Sequence, residues 1–509
     1  MPTLTFGQGL AIDEESQELG DGFCSNGLNV RFVDGYAQRF AGHSAVLNTP
    51  SAAAYHVASY ITSTKNYWIH STLTATYADD GTTKTDITGT ALSGAAGDRF
   101  TSCVVGGVYV QNNQVQVPMS WGGDTGTDLA ALTAWDSTWR CKAIRSFKVY
   151  LIALNVTKGS NAYPSMMKWS SEADPGSLPT SWDEADATNN AGENDLSETS
   201  DKVVDGMALG DVFVVYKERS AYGMQLTGGT EVFRFFRLPG EYGMLSQNCA
   251  AQFPGGHAVF GTSDIVVHNG GEPTSILKAR MRRWLYARID STYFARSFVV
   301  PNHAKSEVWF CYPVAGSVGA CTEALVWNYV DNAFGVRTLP DATAATFGPI
   351  DISSTNTWNG NADAWNDATT AWDELDISKA DKRVIMSSTD AKMYLMDQGG
   401  KFDTSAFRAR IERTGLTFGD QSQVKWLRSV TPRIAGSNGT MVYIQVGGSF
   451  TPEQGVMWGT PVLHTVGSTQ TGKVDATATG KFLAFRVYSD SGSWRLKSVD
   501  FDVPKMGKY

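Results

Sequence analysis

Short runs of alternating apolar and polar residues, separated by polar turns, recur along the chain and predict strand after strand. Residues 108–111 and 114–117 alternate on either side of Asn112 and Asn113. Asparagine tolerates the positive φ of a tight turn, so this stretch predicts a hairpin. Residues 67–77 and 82–88 around Asp79, Asp80 and Gly81 read the same way, as do 482–488 and 494–503 around the turn 489–492. In the last run Trp494 and Leu496 lie in one phase, and Val499, Phe501 and Val503 in the other. A bulge near Lys497 and Ser498 is needed to turn both sets inward.

Between about residues 51 and 400 these units repeat, with apolar centres near Val57, Val104, Val149, Val214, Val259, Val308 and Val384. The spacing is roughly 40–50 residues, wider around 149–214 and 308–384, and it predicts a β-propeller of roughly five to seven blades. No WD dipeptide series, kelch motif or Asp-box series accompanies it. From Phe402 the strands lengthen, and 414–418, 426–434, 441–446 and 482–503 predict a separate antiparallel layer or sandwich. The expected architecture is all-β. A segment 1–50 packs on the body, a propeller spans 51–400, and an antiparallel platform spans 401–509.

Helical periodicity is best developed over 274–289, where Ile276, Leu277, Met281, Trp284, Leu285 and Arg288 recur near 3.6 residues after the start signals Pro273, Thr274 and Ser275. Lys278, Arg280, Arg282 and Arg283 take its other positions. They form either a solvated face or a contact with an acidic partner or phosphates. Two polar segments, 175–201 and 350–375, predict long loops. The first carries Asp183, Glu184, Asp186, Glu193 and Asp195, an acidic run of the kind that is usually solvated. The second carries Trp358, Trp365 and Trp372 among Asn, Asp, Thr and Gly residues that disfavour helix. Those tryptophans pack on the body or anchor a contact between subunits.

Composition narrows the function. Forty-two basic residues against 51 acidic ones give a net charge of -9, which argues against a general nucleic-acid binder. With 42% hydrophobic residues the chain can bury real cores, and its 51 glycines and 15 tryptophans suit a turn-rich β protein. No apolar stretch approaches the roughly 18–20 residues that span a bilayer, and residues 1–12 lack the pattern of a secretory signal. The six cysteines show no zinc-ligand spacing and read as small buried hydrophobes, with a Cys311–Cys321 bridge as the alternative. The seven histidines do not cluster; His257 and His268 fall in one predicted hairpin, more simply as structural residues than as ligands. HExxH, GxSxG and GxxxxGK[ST] motifs are absent, so the sequence offers no catalytic, cofactor or metal site. A propeller glycosidase that assembles two carboxylates from separate blades stays open as an alternative, as does a carbohydrate-binding tail protein.

Several stretches, in order, resemble the tail nozzle (packaged-DNA stabilisation) proteins of short-tailed bacteriophages. Residues 26–35, Asn-Gly-Leu-Asn-Val-Arg-Phe-Val-Asp-Gly, followed by Gln38, Arg39 and Gly42, resemble the opening segment of that family. Residues 167–171, Met-Lys-Trp-Ser-Ser, with Asp174, Pro175 and Trp182, resemble a later one. Residues 209–222, 263–271 with the basic segment 276–283, 307–313 with 324–328 and 337–340, and the closing 485–488 and 494–503 follow in family order. The resemblance covers nearly the whole chain but leaves the tryptophan-bearing insertion 358–372 unmatched. It implies a structural virion protein, not an enzyme, made in the host cytoplasm. It also implies a hexameric ring at the distal end of the tail, contacts to an adaptor ring and to fibres or spikes, closure of the DNA channel before ejection, and no cofactor.

Overall fold

Antiparallel sheets of four strands follow one another along the computed structural model, which describes residues 2–228, 231–278, 280–350, 382–467 and 472–504. Blade 1 comprises His56–Ile61, Asn66–Ser71, Thr76–Asp79 and Lys84–Asp86; blade 2 comprises Thr101–Val105, Val108–Asn112, Met119–Trp121 and Ala130–Ala131. Blade 3 is Trp139–Phe147, Tyr150–Lys158, Asn161–Trp169 and Gly192–Asp195, and blade 4 is Val203–Leu209, Val212–Lys217, Ala221–Leu226 and Phe233–Arg237. Blade 5 is Ala250–Phe253, Gly256–Phe260, Ile265–His268 and Thr274–Ser275. In blade 6, Phe298–Asn302, Glu307–Tyr312 and Cys321–Asn328 pair onward to the first half of the long strand Ala333–Pro349. The second half of that strand opens blade 7, which continues through Lys382–Ser388 and Met393–Met396 and takes its last strand, His43–Ala45, from the N-terminal region. The chain is thus an all-β, seven-bladed propeller among the described residues, closed by a strand from its own N-terminal segment. The closing strand covers the edge of Met393–Met396, and radial packing of the blades leaves only short outer edges.

Stacking of the blades explains their sequence texture. Second strands such as Val212–Lys217 and Glu307–Tyr312 are buried along nearly their whole length, because another sheet covers each face. Such strands read as continuous apolar runs rather than alternating ones.

The C-terminal region forms a sandwich. One sheet is Asn26–Leu28, Ala409–Leu416, Phe482–Ser489 and Met441–Ser449, with Met457–Trp458 and Val462–Thr465 at its edge. The other is Ser429–Gly436 against Trp494–Asp502, which also pairs with Thr3–Thr5 and Tyr36–Arg39. Phe485 and Phe501 meet between the sheets with ring centroids 5.6 Å apart. Tyr36–Arg39 pairs with Val30–Val33, and Val30 pairs with Val336, so the sandwich sheet runs directly into blade 6. The first fifty residues therefore serve both units.

A buried ionic seam fastens this junction. Arg31, beside Val30, meets Glu307 at 3.0 Å and Asp397 at 2.7 Å, and Asp397 also pairs with fully buried Arg337. Asn302 Nδ2 donates to Asp397 at 3.0 Å, and Trp309 Nε1 donates to Glu307 at 2.9 Å. The Arg337 guanidinium lies over the rings of Phe40 and Trp309 and donates to the carbonyl of Gly42 at 3.0 Å. A Cβ at Gly42 would sit on the carbonyl oxygen of Lys401, so only glycine fits where the closing strand begins.

Several expectations are corrected. Asn112 and Asn113 do not form a two-residue hairpin; Val108–Asn112 pairs with Met119–Trp121 across a longer loop. Asn113 Oδ1 accepts from the amides of Val115 and Gln116 at 3.2 and 2.9 Å, a local bond that competes with strand pairing. The strand expected over 67–77 breaks at Thr72, whose hydroxyl accepts from the Ala75 amide at 3.0 Å. The turn 489–492 links the two sandwich sheets rather than a hairpin. The helix expected over 274–289 shrinks to Arg282–Arg288, because Thr274–Ser275 is recruited as the outer strand of blade 5. The loop expected over 175–201 contains Gly192–Asp195, which pairing with Asn161–Trp169 turns into a strand despite its polar sequence.

Candidate functional site

The inner strands of the blades surround a cavity of about 900 Å³ on the propeller axis. Its walls combine apolar residues such as Val57, Phe100, Val299 and Phe347 with Arg99, Arg145, Asn248, His303 and Lys382. Bonds cross the axis between blades that are not neighbours. Arg99 precedes blade 2 and donates from Nη2 to the Ser297 carbonyl, at the start of blade 6, at 3.3 Å. Asn248, before blade 5, donates to the carbonyl of Phe100 at 2.9 Å and accepts from Arg145 of blade 3 at 2.8 Å. Arg145 also pairs with Asp205 of blade 4 at 2.5 Å. Beside this brace His56 stacks on Phe100 and shares a hydrogen bond of 2.9 Å with the Tyr109 hydroxyl. Burial, reinforced by Arg145 and Arg99, drives the His56 pKa down to about 3, so the imidazole is neutral.

The histidine pair is structural. His257 and His268 sit opposite each other on adjacent strands, and both lie 2.7 Å from the Tyr216 hydroxyl. The surrounding partners assign the protons. The Gly270 amide donates to His268 Nδ1 (3.2 Å), so His268 Nε2 donates to Tyr216. His257 Nε2 donates to the Ala208 carbonyl (2.9 Å), so its Nδ1 accepts the Tyr216 proton. Every polar atom in the chain of bonds is satisfied with both rings neutral, and burial lowers both pKa values. The six cysteines are free, and burial pushes the Cys321 thiol up to about 12. Among the described residues, no group of three or more His, Cys, Asp or Glu side chains could hold a metal, and no helix is long and apolar enough to cross a membrane.

The basic residues 280–283 face inward more than their spacing suggests. Arg280 precedes the helix, lies half-buried over the rings of Phe334 and Phe23, and donates to the Asn332 carbonyl at 3.2 Å. Arg282 pairs with Asp264 and donates to Ser275 Oγ at 2.9 Å. Arg283 donates from Nη2 to the Asp13 carbonyl at 2.8 Å, while the Asp13 carboxylate caps the helix by accepting the amides of Arg283 and Trp284 at 2.6 and 2.9 Å. Changing Arg282 and Arg283 to Gln is expected to move stability by less than about 1 kcal/mol, since both are exposed. Adding Arg280→Gln is expected to cost about 1–2 kcal/mol more through lost ring stacking, with the fold retained; chemical unfolding of the three variants checks the order. Trp358, Trp365 and Trp372, with residues 351–375 of the second loop, lie outside the described residues.

In the segment 175–201, the acidic side chains hold a buried lysine rather than facing only water. Lys168, fully buried in the third strand of blade 3, pairs with Glu184 and lies 3.0 Å from Glu193. Burial raises the Glu184 pKa, but its bond to Lys168 prevails and holds it below the ordinary value. Trp139, Trp182, Asp136, Asp183 and Glu184 line a shallow depression of about 410 Å³ nearby. Sequence reasoning did not single out Arg99 or Arg145, because each is a lone arginine whose partners lie on other blades.

No protein-family model and no curated protein matches the chain. Among solved structures, the chain is similar to the WD40 β-propeller domain of Doa1, at 12% identity over 70% of this chain and 97% of that one, with a TM-score of 0.36. It is also similar to YCF48 bound to D1 peptide (9% identity, 72% and 97% covered, TM-score 0.37) and to BBS1N in complex with ARL6DN (8%, 70% and 95%, 0.37).

Proposed function

We propose that the chain is a structural virion protein, the distal nozzle of a short phage tail, which assembles as a hexameric ring, meets an adaptor above and fibres or spikes beside it, and closes the DNA channel until ejection. The observation that carries this reading is the order of the family-like segments. They fall on the strand 26–28 that joins the sandwich, then on the third strand of blade 3, the second and third strands of blade 4, blade 5, blade 6 and finally the closing sandwich strands. The propeller axis is not the DNA path in this reading. Its cavity has the volume of a small-ligand pocket and is crossed by hydrogen bonds, so duplex DNA runs along the axis of the ring instead. A ring of this kind closes through heterologous contacts. Electron microscopy of the particle is expected to show a head-to-tail ring at the tail tip; a two-fold dimer there overturns the reading. A channel that must release DNA should not grip phosphates, so the purified protein is expected to show no salt-sensitive duplex binding in a filter or fluorescence assay.

One observation favours a second reading, a carbohydrate-binding or glycoside-cleaving tail protein: half-buried Trp139 flanks a depression that also carries Asp136, Asp183 and Glu184. Cleavage needs one carboxyl held protonated, and Glu184 is shifted the other way. Release of oligosaccharide from host polysaccharide by the purified protein would establish this reading over the first.

A further inference from the structure

The arginines of the interior are matched to acceptors with one exception. Five arginines are buried among the described residues: Arg31, Arg39, Arg99, Arg337 and Arg413. Arg31 and Arg337 hold carboxylates. Arg39 donates to the carbonyls of Gly400 and Phe407, and Arg413 to those of Ser16, Thr414 and Leu19. Arg99 is only 8% exposed, yet among the described residues its side chain makes a single bond, the long one to Ser297. Its Nε is buried without a hydrogen bond, as are those of Arg39 and Arg337, but these two have further acceptors for their other nitrogens. A guanidinium taken out of water without a counter-charge is costly, and five donors in a planar fork suit an oxyanion.

The surroundings of Arg99 have the same sign. The described residues that line the axial cavity include Arg99, Arg145 and Lys382 and no carboxylate; Asp205 meets Arg145 from behind the wall. Among the described residues, three cations stand against that one carboxylate. Lys382 is exposed and Arg99 is buried, so positive charge is present at both the exposed and the buried part of the lining. In a cavity with low-dielectric walls such a field concentrates small anions. The lowered pKa of His56 agrees with it: after burial, its causes are Arg145 and Arg99. The volume suits a small molecule and is too little for a folded partner.

We infer that the axial cavity of the propeller is a binding site for a small oxyanion, a phosphate or a carboxylate, with Arg99 as its principal donor and Lys382 at its mouth. The site belongs to the protomer and does not depend on ring assembly or on the nozzle reading. The anion would supply the acceptor that Arg99 lacks and brace blades 2, 3 and 6 across the axis.

The test is titration calorimetry and thermal unfolding of the full-length protein with sodium phosphate and, separately, sodium succinate, against sodium chloride at matched ionic strength. Saturable binding with a rise in the unfolding midpoint is expected from at least one of the two anions, and the tighter one tells phosphate from carboxylate. Arg99→Gln is expected to weaken that binding by at least about tenfold, and Lys382→Gln by about two- to threefold with the midpoint in chloride unchanged. If Arg99→Gln does not fold, Lys382→Gln alone carries the comparison, because its side chain is exposed. Equal shifts in all three salts overturn the inference. So does anion binding that neither substitution weakens.

Discussion

Asp397→Ala is expected to destabilise the protein by about 3–5 kcal/mol, the usual cost of removing one partner from a buried ion network. Asp397 accepts from Arg31, Arg337 and Asn302, which come from the N-terminal segment, the strand shared by blades 6 and 7, and the inner strand of blade 6. Its loss leaves Arg337 fully buried without that carboxylate and leaves Arg31 with Glu307 alone. Burial would raise the Asp397 pKa, but Arg31 and Arg337 hold the carboxyl far below its ordinary range. A carboxylate with a depressed folded pKa contributes stability that is present above its unfolded value near 4 and lost as pH falls through the folded one. The buried histidines act in the same direction but at higher pH. Burial lowers His56 to about 3 and His70 and His268 to about 4, while in the unfolded chain they titrate near 6.5. From about pH 6.5 downward the unfolded state therefore binds more protons, and stability is expected to fall with pH before any carboxylate titrates. Urea unfolding across pH 4–8 checks both statements. Asp397→Ala should lower the curve throughout this range and leave the histidine slope in place. A loss below about 1 kcal/mol would mean that water reaches the seam and solvates the charges.

Legibility in the sequence followed the range of the interactions. The seven apolar centres, Val57 to Val384, fall one in each of the seven blades, although Val149 occupies an exposed turn rather than a strand. The bulge demanded by the phases of Trp494 and Val499 is present: Arg433 pairs with Ser498 and Ile434 with Leu496, which leaves Lys497 unpaired. Both signals are local, written in alternation over a few residues. What alternation does not carry is which strand pairs with which. Polar Gly192–Asp195 and the two-residue Thr274–Ser275 are strands only because a neighbouring edge recruits them. The closing strand His43–Ala45 pairs with residues some 350 positions away, and nothing in its own three residues marks it. The same limit hid the axial cluster. Arg99, Arg145 and Asn248 carry no spacing motif, because the propeller circle brings them together from blades 2, 3 and 5.

A fragment covering residues 51–400 is expected to fail as an independent domain, although spacing alone marks it as the propeller. Without residues 43–45 the strand Met393–Met396 becomes an open edge, a ready template for pairing with another chain. Without Arg31, Glu307 loses its ion-pair partner in a dry interior and Asp397 keeps only Arg337, so the two buried carboxylates cannot both stay ionised cheaply. Without the sandwich and residues 2–39, one continuous core that runs from Phe260 and Phe310 through Phe334 and Val336 to Phe32, Phe485 and Phe501 is cut open. Each fully exposed large side chain forgoes about 1.5–3 kcal/mol of burial. A handful of them forgoes an amount comparable to the roughly 5–15 kcal/mol that keeps an ordinary domain folded. Restoring residues 1–50 in a 1–400 fragment returns the closing strand and Arg31, but it leaves Leu4 and Phe6 without the strands 482–489 and 494–502 that cover them. The expected ranking by soluble yield and by cooperativity in calorimetry is the full chain first, 1–400 far behind, and 51–400 aggregated. A monomeric 51–400 fragment that melts cooperatively near the full-length midpoint would show that the blades close without the N-terminal strand, and that the sandwich is an attachment rather than part of the core.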